Sequence, residues 1–74
     1  MQHDSLTRMG NQIATFFDSM PDHEEALLDL ARHLKKFWEP RMRREFLARV
    51  DAGTVHAMHP LLLRAATQHR AVIE

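Results

Sequence analysis

Six histidines are the first side chains in this 74-residue sequence that could hold a metal. His56 and His59 stand three residues apart, a spacing that places two imidazoles on one side of a helical turn. A third ligand is missing. No His-Glu-x-x-His occurs, there is no cysteine, and Pro60 directly after His59 ends the turn that would join the pair. The histidines are therefore read as solvent-facing or helix-capping groups. Asp22, Glu24 and Glu25 resemble a paired-acid cluster, but they fall in the first turn of a helix, where carboxylates satisfy free amides and the positive end of the helix dipole. Neither a nucleophile elbow nor a phosphate-cradling glycine loop is present. A chain this short can scarcely enclose a drug-sized pocket. The expectation is a chain with no catalytic residue, cofactor or metal of its own.

The most informative stretch runs from Arg32 to Arg49, where seven basic and two acidic residues surround the pair Phe37-Trp38. Three uses compete for it. One is a solvated basic face over a buried tryptophan. Another is phosphate binding, in which a small helical nucleic-acid-binding or regulatory protein would use these arginines; zero formal net charge argues against it, because dedicated binders of this size are strongly basic. The third is protein docking, since arginine and tryptophan are enriched in interface hot spots and a planar guanidinium grips carboxylates bidentately. Arg43 precedes Phe46, Leu47 and Val50 by three, four and seven residues, which puts it on the apolar side of a helix and predicts partial burial. A buried guanidinium needs carboxylate or carbonyl partners, supplied by the acidic first half of this chain or by another subunit. Arg41 and Arg44 face outward, and Trp38 is read as core. The protein-binding residues are accordingly assigned as Phe37, Trp38, Pro40, Arg41, Arg43 and Arg44. Trp38 and Pro40 set a bend, and the arginines engage acidic groups.

Those residues must be positioned by helices, because no sustained period-two alternation and no Asn-Gly or Asp-Gly turn points to a strand. The fold class is all-α, a single bundle of three to four short helices over about 5–20, 23–38, 40–51 and 60–72. In the first, Leu6, Met9, Ile13, Phe16, Phe17 and Met20 fall within about 100° of a helical wheel and predict the buried face. Arg8, Asn11, Thr15, Asp18 and Ser19 form the polar side, and Asp4 or Ser5 can cap the start. Gly10, beside the apolar stripe, would admit a close neighbour. Pro21 stops this helix, and Asp22 with Glu25 forms a variant capping box for the next.

The second apolar stripe is Leu27, Leu30, Ala31, Leu34 and Trp38, widened by Phe37, with Leu28 pointing away. Pro40 disfavours helix at Glu39 but suits the first turn of a new one, so the chain bends at 38–40. Met42, Phe46, Leu47 and Val50 line the third helix, and Gly53 stops it. Thr54 caps a short turn through Met58. Pro60 then opens a last helix built on Leu61, Leu62, Ala65, Val72 and Ile73, with a frayed end.

Residues 1–30 carry a net charge of −5 and residues 31–74 a net +5, so the neutral chain is a charge dipole along its sequence. The absence of cysteine excludes disulfides and thiolate metal sites. No apolar run approaches the roughly 20 residues that cross a bilayer, and residues 1–10 resemble no targeting signal, so the expected address is cytoplasmic, away from the membrane. A domain this small buries only about 60% of the surface its unfolded chain exposes. Support from a partner subunit, or self-association when isolated, follows.

Three stretches together are distinctive: Met9-Gly-Asn-Gln-Ile13, Phe16-Phe17-x-Ser-Met-Pro-Asp22, and Lys36-Phe-Trp-Glu-Pro-Arg-Met-Arg-Arg44 running toward Asp51-Ala-Gly53. Over residues 5–53 the chain resembles the delta subunit of soluble NAD-dependent formate dehydrogenases, the FdsD family. The resemblance implies an accessory polypeptide without a cofactor, in a cytoplasmic complex that oxidises formate to carbon dioxide and reduces NAD. Other subunits would carry the molybdenum or tungsten pterin centre, iron–sulfur clusters, flavin and NAD site. The implied role is to support assembly, stability or activity by contacting the catalytic alpha subunit and its associated subunits.

Overall fold

The computed structural model describes residues 5–74, in which five helices and no strand are found. They are α1 (Ser5–Asp18), α2 (His23–Phe37), α3 (Pro40–Ala52), α4 (Pro60–Gln68) and α5 (Arg70–Ile73). Helix α2 is the central rod and packs against α1, α4 and α5. Its Ala26, Leu27, Leu30, Ala31 and Leu34 are fully buried. Local chemistry explains its ends. The Asp22 carboxylate accepts from the amides of Glu24 and Glu25 at 3.0 and 3.2 Å, and Lys35 and Lys36 occupy the last turn, where cations oppose the negative end of the dipole.

Helix α1 presents a different face to the core from the one its apolar residues mark. Leu6, Thr7, Gly10 and Ala14 are buried, whereas Met9 and Phe16 are 38% and 71% exposed and Ile13, Phe17 and Met20 only partly covered. Small side chains decide this. A Cβ on Gly10 would lie 2.8 Å from Leu62 and 3.5 Å from the Trp38 ring, so the helix approaches its neighbours where it has no side chain. Asn11, expected on the solvent side, ties α1 to the loop before α4: it donates to the Ala57 carbonyl at 2.8 Å and accepts from the His59 amide at 2.7 Å. Asn11→Ala strands both groups and is expected to cost about 1–2 kcal/mol. In a domain of this size that is a fall of roughly 5–10 °C in the midpoint of thermal unfolding followed by circular dichroism. Of the two candidate caps for α1, Asp4 lies outside the described residues and Ser5 is the first residue of the helix.

Further along, Phe37 is 64% exposed and does not widen the buried stripe of α2, and Leu28 is half-buried. Pro40 opens α3 at its first position. Gly53 closes α3 at φ 81°, a left-handed conformation that suits a residue without a Cβ, and donates back to Val50. Thr54 also looks backward: its hydroxyl donates to the Arg49 carbonyl at 3.0 Å, reinforcing the end of α3 rather than capping the next turn. The single helix expected over 60–72 is broken at His69 into α4 and α5. Ile73, in the expected frayed end, is fully buried, and Ala66 joins Leu61, Leu62 and Ala65 in the core.

Candidate functional site

The bend between α2 and α3 is built from one buried and one half-buried side chain. Trp38, 7% exposed, turns its ring inward and meets Phe46 edge to face at a centroid distance of 5.8 Å. Because Trp38 and Glu39 are extended and Pro40 restarts the helix, the chain changes direction while the indole stays in the core. Arg43 then reaches back from α3. Its Nη1 donates to the carbonyls of Trp38 at 2.5 Å and Lys35 at 3.3 Å, so a guanidinium from one helix caps the C-terminus of the preceding one. The partial burial read from spacing holds. Its partners, however, are main-chain carbonyls of α2 and not carboxylates of the acidic first half.

The remaining members of the assigned set are on the outside. Phe37, Pro40, Arg41 and Arg44 are exposed. Among the described residues, neither Arg41 nor Arg44 has a carboxylate within 4.0 Å. The bend therefore offers two guanidiniums free of carboxylates among the described residues and, just before it on α2, an uncovered phenyl ring over which the Lys36 ammonium sits at 5.6 Å. Phe37 also ends a line of rings that sequence reasoning missed. Phe16 stacks edge-on to Phe17 at 5.2 Å, Phe17 to His33 at 5.8 Å, and His33 meets Phe37 at 4.6 Å. The signal was present in Phe16 and Phe17 as adjacent aromatics at the end of one helix, and in His33 and Phe37 four residues apart on the next.

Along α3, a groove of about 480 Å³ opens toward α5, with Pro40, Arg43, Arg44 and Leu47 on the α3 side and Arg70 and Glu74 across from them. Arg70 holds the Asp51 carboxylate through two bonds of 2.9 Å and Glu74 through one of 3.0 Å. Hydrogen bonding to Asp51, then to Glu74, raises the Arg70 pKa above its ordinary value. The histidines form no metal cluster with acidic groups among the described residues. His59 caps α4 through Nδ1, which accepts from the Leu61 amide at 3.0 Å, and both His23 and His59 approach Asp18, at 3.7 and 3.9 Å.

The geometry describes a cationic bend braced by Arg43, and sequence comparison gives the family in which it sits. The sequence profile of the NADH-dependent formate dehydrogenase delta subunit, FdsD, matches residues 5–66. The chain belongs to this family. No curated protein and no solved structure matches it. In this FdsD-family chain the match runs from α1 through most of α4, beyond residue 53 where the resemblance read from the sequence ended, and it includes the whole bend. Arg70 and Glu74 of the groove lie outside the matched segment. No helix among the described residues is long and apolar enough to cross a membrane.

Proposed function

We propose that this FdsD-family chain is a non-catalytic accessory subunit of a cytoplasmic formate dehydrogenase complex, docking on the catalytic alpha subunit through the outer side of the bend. Phe37, Pro40, Arg41 and Arg44 make the contact, and Trp38 and Arg43 hold them in place from beneath. The observation that carries this reading is the pair of exposed guanidiniums at the start of α3, free of intramolecular carboxylates among the described residues, with an exposed phenylalanine at the end of α2. Left in water, such groups contribute little to the fold. Against a partner's acidic and apolar surface, arginine and aromatic side chains are typical binding anchors. The role in assembly, stability or activity follows from that contact, with formate oxidation and NAD reduction carried by the other subunits.

The test is co-purification of the tagged chain with the formate dehydrogenase subunits from native extract, with formate-dependent NAD reduction followed in the recovered complex. Replacing Arg41 and Arg44 together by alanine is expected to leave the helical circular dichroism spectrum unchanged, since both positions are exposed. Recovery of the complex should fall about tenfold or more, the effect of losing roughly 1.4 kcal/mol of binding. Undiminished recovery, or formate turnover by the isolated chain, would contradict the proposal. Salt-dependent binding of DNA or RNA, lost in the same double variant, would favour phosphate recognition instead.

A further inference from the structure

We infer that the groove between α3 and α5 is a receptor for a carboxylate-bearing segment of the partner protein, with Arg44 as the group that grips the carboxylate; this rests on the accessory-subunit reading above. Its floor is apolar where Pro40, Leu47 and Ala48 line it, and its walls carry three guanidiniums and two carboxylates. The two carboxylates, Asp51 and Glu74, are already held by Arg70. What is left uncommitted is cationic. Arg44 is exposed and has no carboxylate within 4.0 Å among the described residues, whereas Arg43 is engaged by the carbonyls of Lys35 and Trp38.

The groove already displays the chemistry it is assigned. Glu74 lies on Arg70 as a carboxylate on a guanidinium, at one end of the same depression. A second carboxylate, arriving from outside, finds its counterpart at the exposed Arg44, while apolar atoms beside it cover Leu47 and Ala48. A phosphate backbone fits less well, because its successive charges would be carried past Asp51 and Glu74. The occupant is thus a protein segment in which an aspartate or glutamate is flanked by apolar residues.

Three variants of the tagged chain, purified with the native formate dehydrogenase complex, test the assignment. Arg44→Glu reverses the charge, and Ala48→Trp fills the groove from an exposed position without altering charge. Each is expected to reduce recovery of the complex at least tenfold while keeping the helical spectrum of the parent. Arg44→Lys is expected to retain the complex. Carbodiimide treatment of that variant should join the new ammonium to an aspartate or glutamate of a formate dehydrogenase subunit, identified by mass spectrometry. If Ala48→Trp is recovered as well as the parent, or position 44 couples only to Asp51 or Glu74 of its own chain, the groove is no receptor while the accessory role stands. If the parent itself brings down no formate dehydrogenase subunit, the accessory role fails and the receptor with it.

Discussion

Trp38→Ala is expected to cost about 3–5 kcal/mol of stability, the range for truncating a large aromatic side chain in a packed core. A domain of this size has roughly 4–11 kcal/mol in all, so the variant should stand at the edge of unfolding under ordinary conditions. The indole is where three helices meet: it belongs to the end of α2, packs edge-on against Phe46 of α3, and lies close to the bare backbone of α1 at Gly10. No neighbour can collapse into the vacancy without moving a helix. Urea unfolding followed by far-ultraviolet circular dichroism measures the loss, because the substitution removes the only tryptophan and with it the fluorescence signal. A change below about 1 kcal/mol would mean that the ring is not the keystone described. Trp38→Phe, which keeps an aromatic body in place, should retain most of the stability and allow docking to be assayed in a folded chain.

Arg43→Met is expected to cost roughly 2 kcal/mol, less than the tryptophan but with a more specific consequence. Methionine preserves much of the length and the apolar contact of the stem, yet leaves the carbonyls of Trp38 and Lys35 without their donor; hydrogen bonds to a charged group contribute about 1.5–3 kcal/mol. Part of that loss is returned, because a half-buried guanidinium with one unpartnered nitrogen is itself costly to desolvate. The distinguishing readout is docking at a temperature where the variant remains folded. Recovery of the formate dehydrogenase complex should decline even though Arg41 and Arg44 are untouched, since the bend that carries them loses its brace. Arg43→Lys, offering a point charge in place of a planar fork, should fall between the parent and the methionine variant. Unchanged stability and docking in both variants would show the brace to be idle.

What could be read from residues alone was whatever local chemistry controls. Pro40 and Gly53 punctuate α3 because one fixes φ for a first turn and the other accepts a left-handed end, and the stripe of α2 is a matter of spacing. The facing of α1 does not follow its apolar stripe, because apolar content is no measure of how closely a helix can approach its neighbours. Close approach went instead to Gly10 and Ala14, where backbone meets a neighbour, and left Met9 and Phe16 outside. Asn11 was invisible for a different reason. Its partners, Ala57 and His59, are 46 and 48 residues away, and nothing in the local pattern encodes them. The break at His69 is marked by neither proline nor glycine. Arg43 was placed correctly by its spacing, but its acceptors belong to the main chain, which no side-chain inventory can display. The groove has no local signature, because its second wall comes from Arg70 and Glu74, brought opposite α3 only by the tertiary fold.

That main-chain character has a genetic corollary. Every amino acid carries a carbonyl, so residue 35 can drift in identity without deleting an acceptor that receives the guanidinium, while residue 38 is held for its indole and not for its carbonyl. The hydrogen-bonding side chain of this brace is thereby concentrated at a single codon, the one for residue 43, and the exposed lysine beneath it adds no constrained position to those that Trp38 and Pro40 already fix at the junction of the two rods.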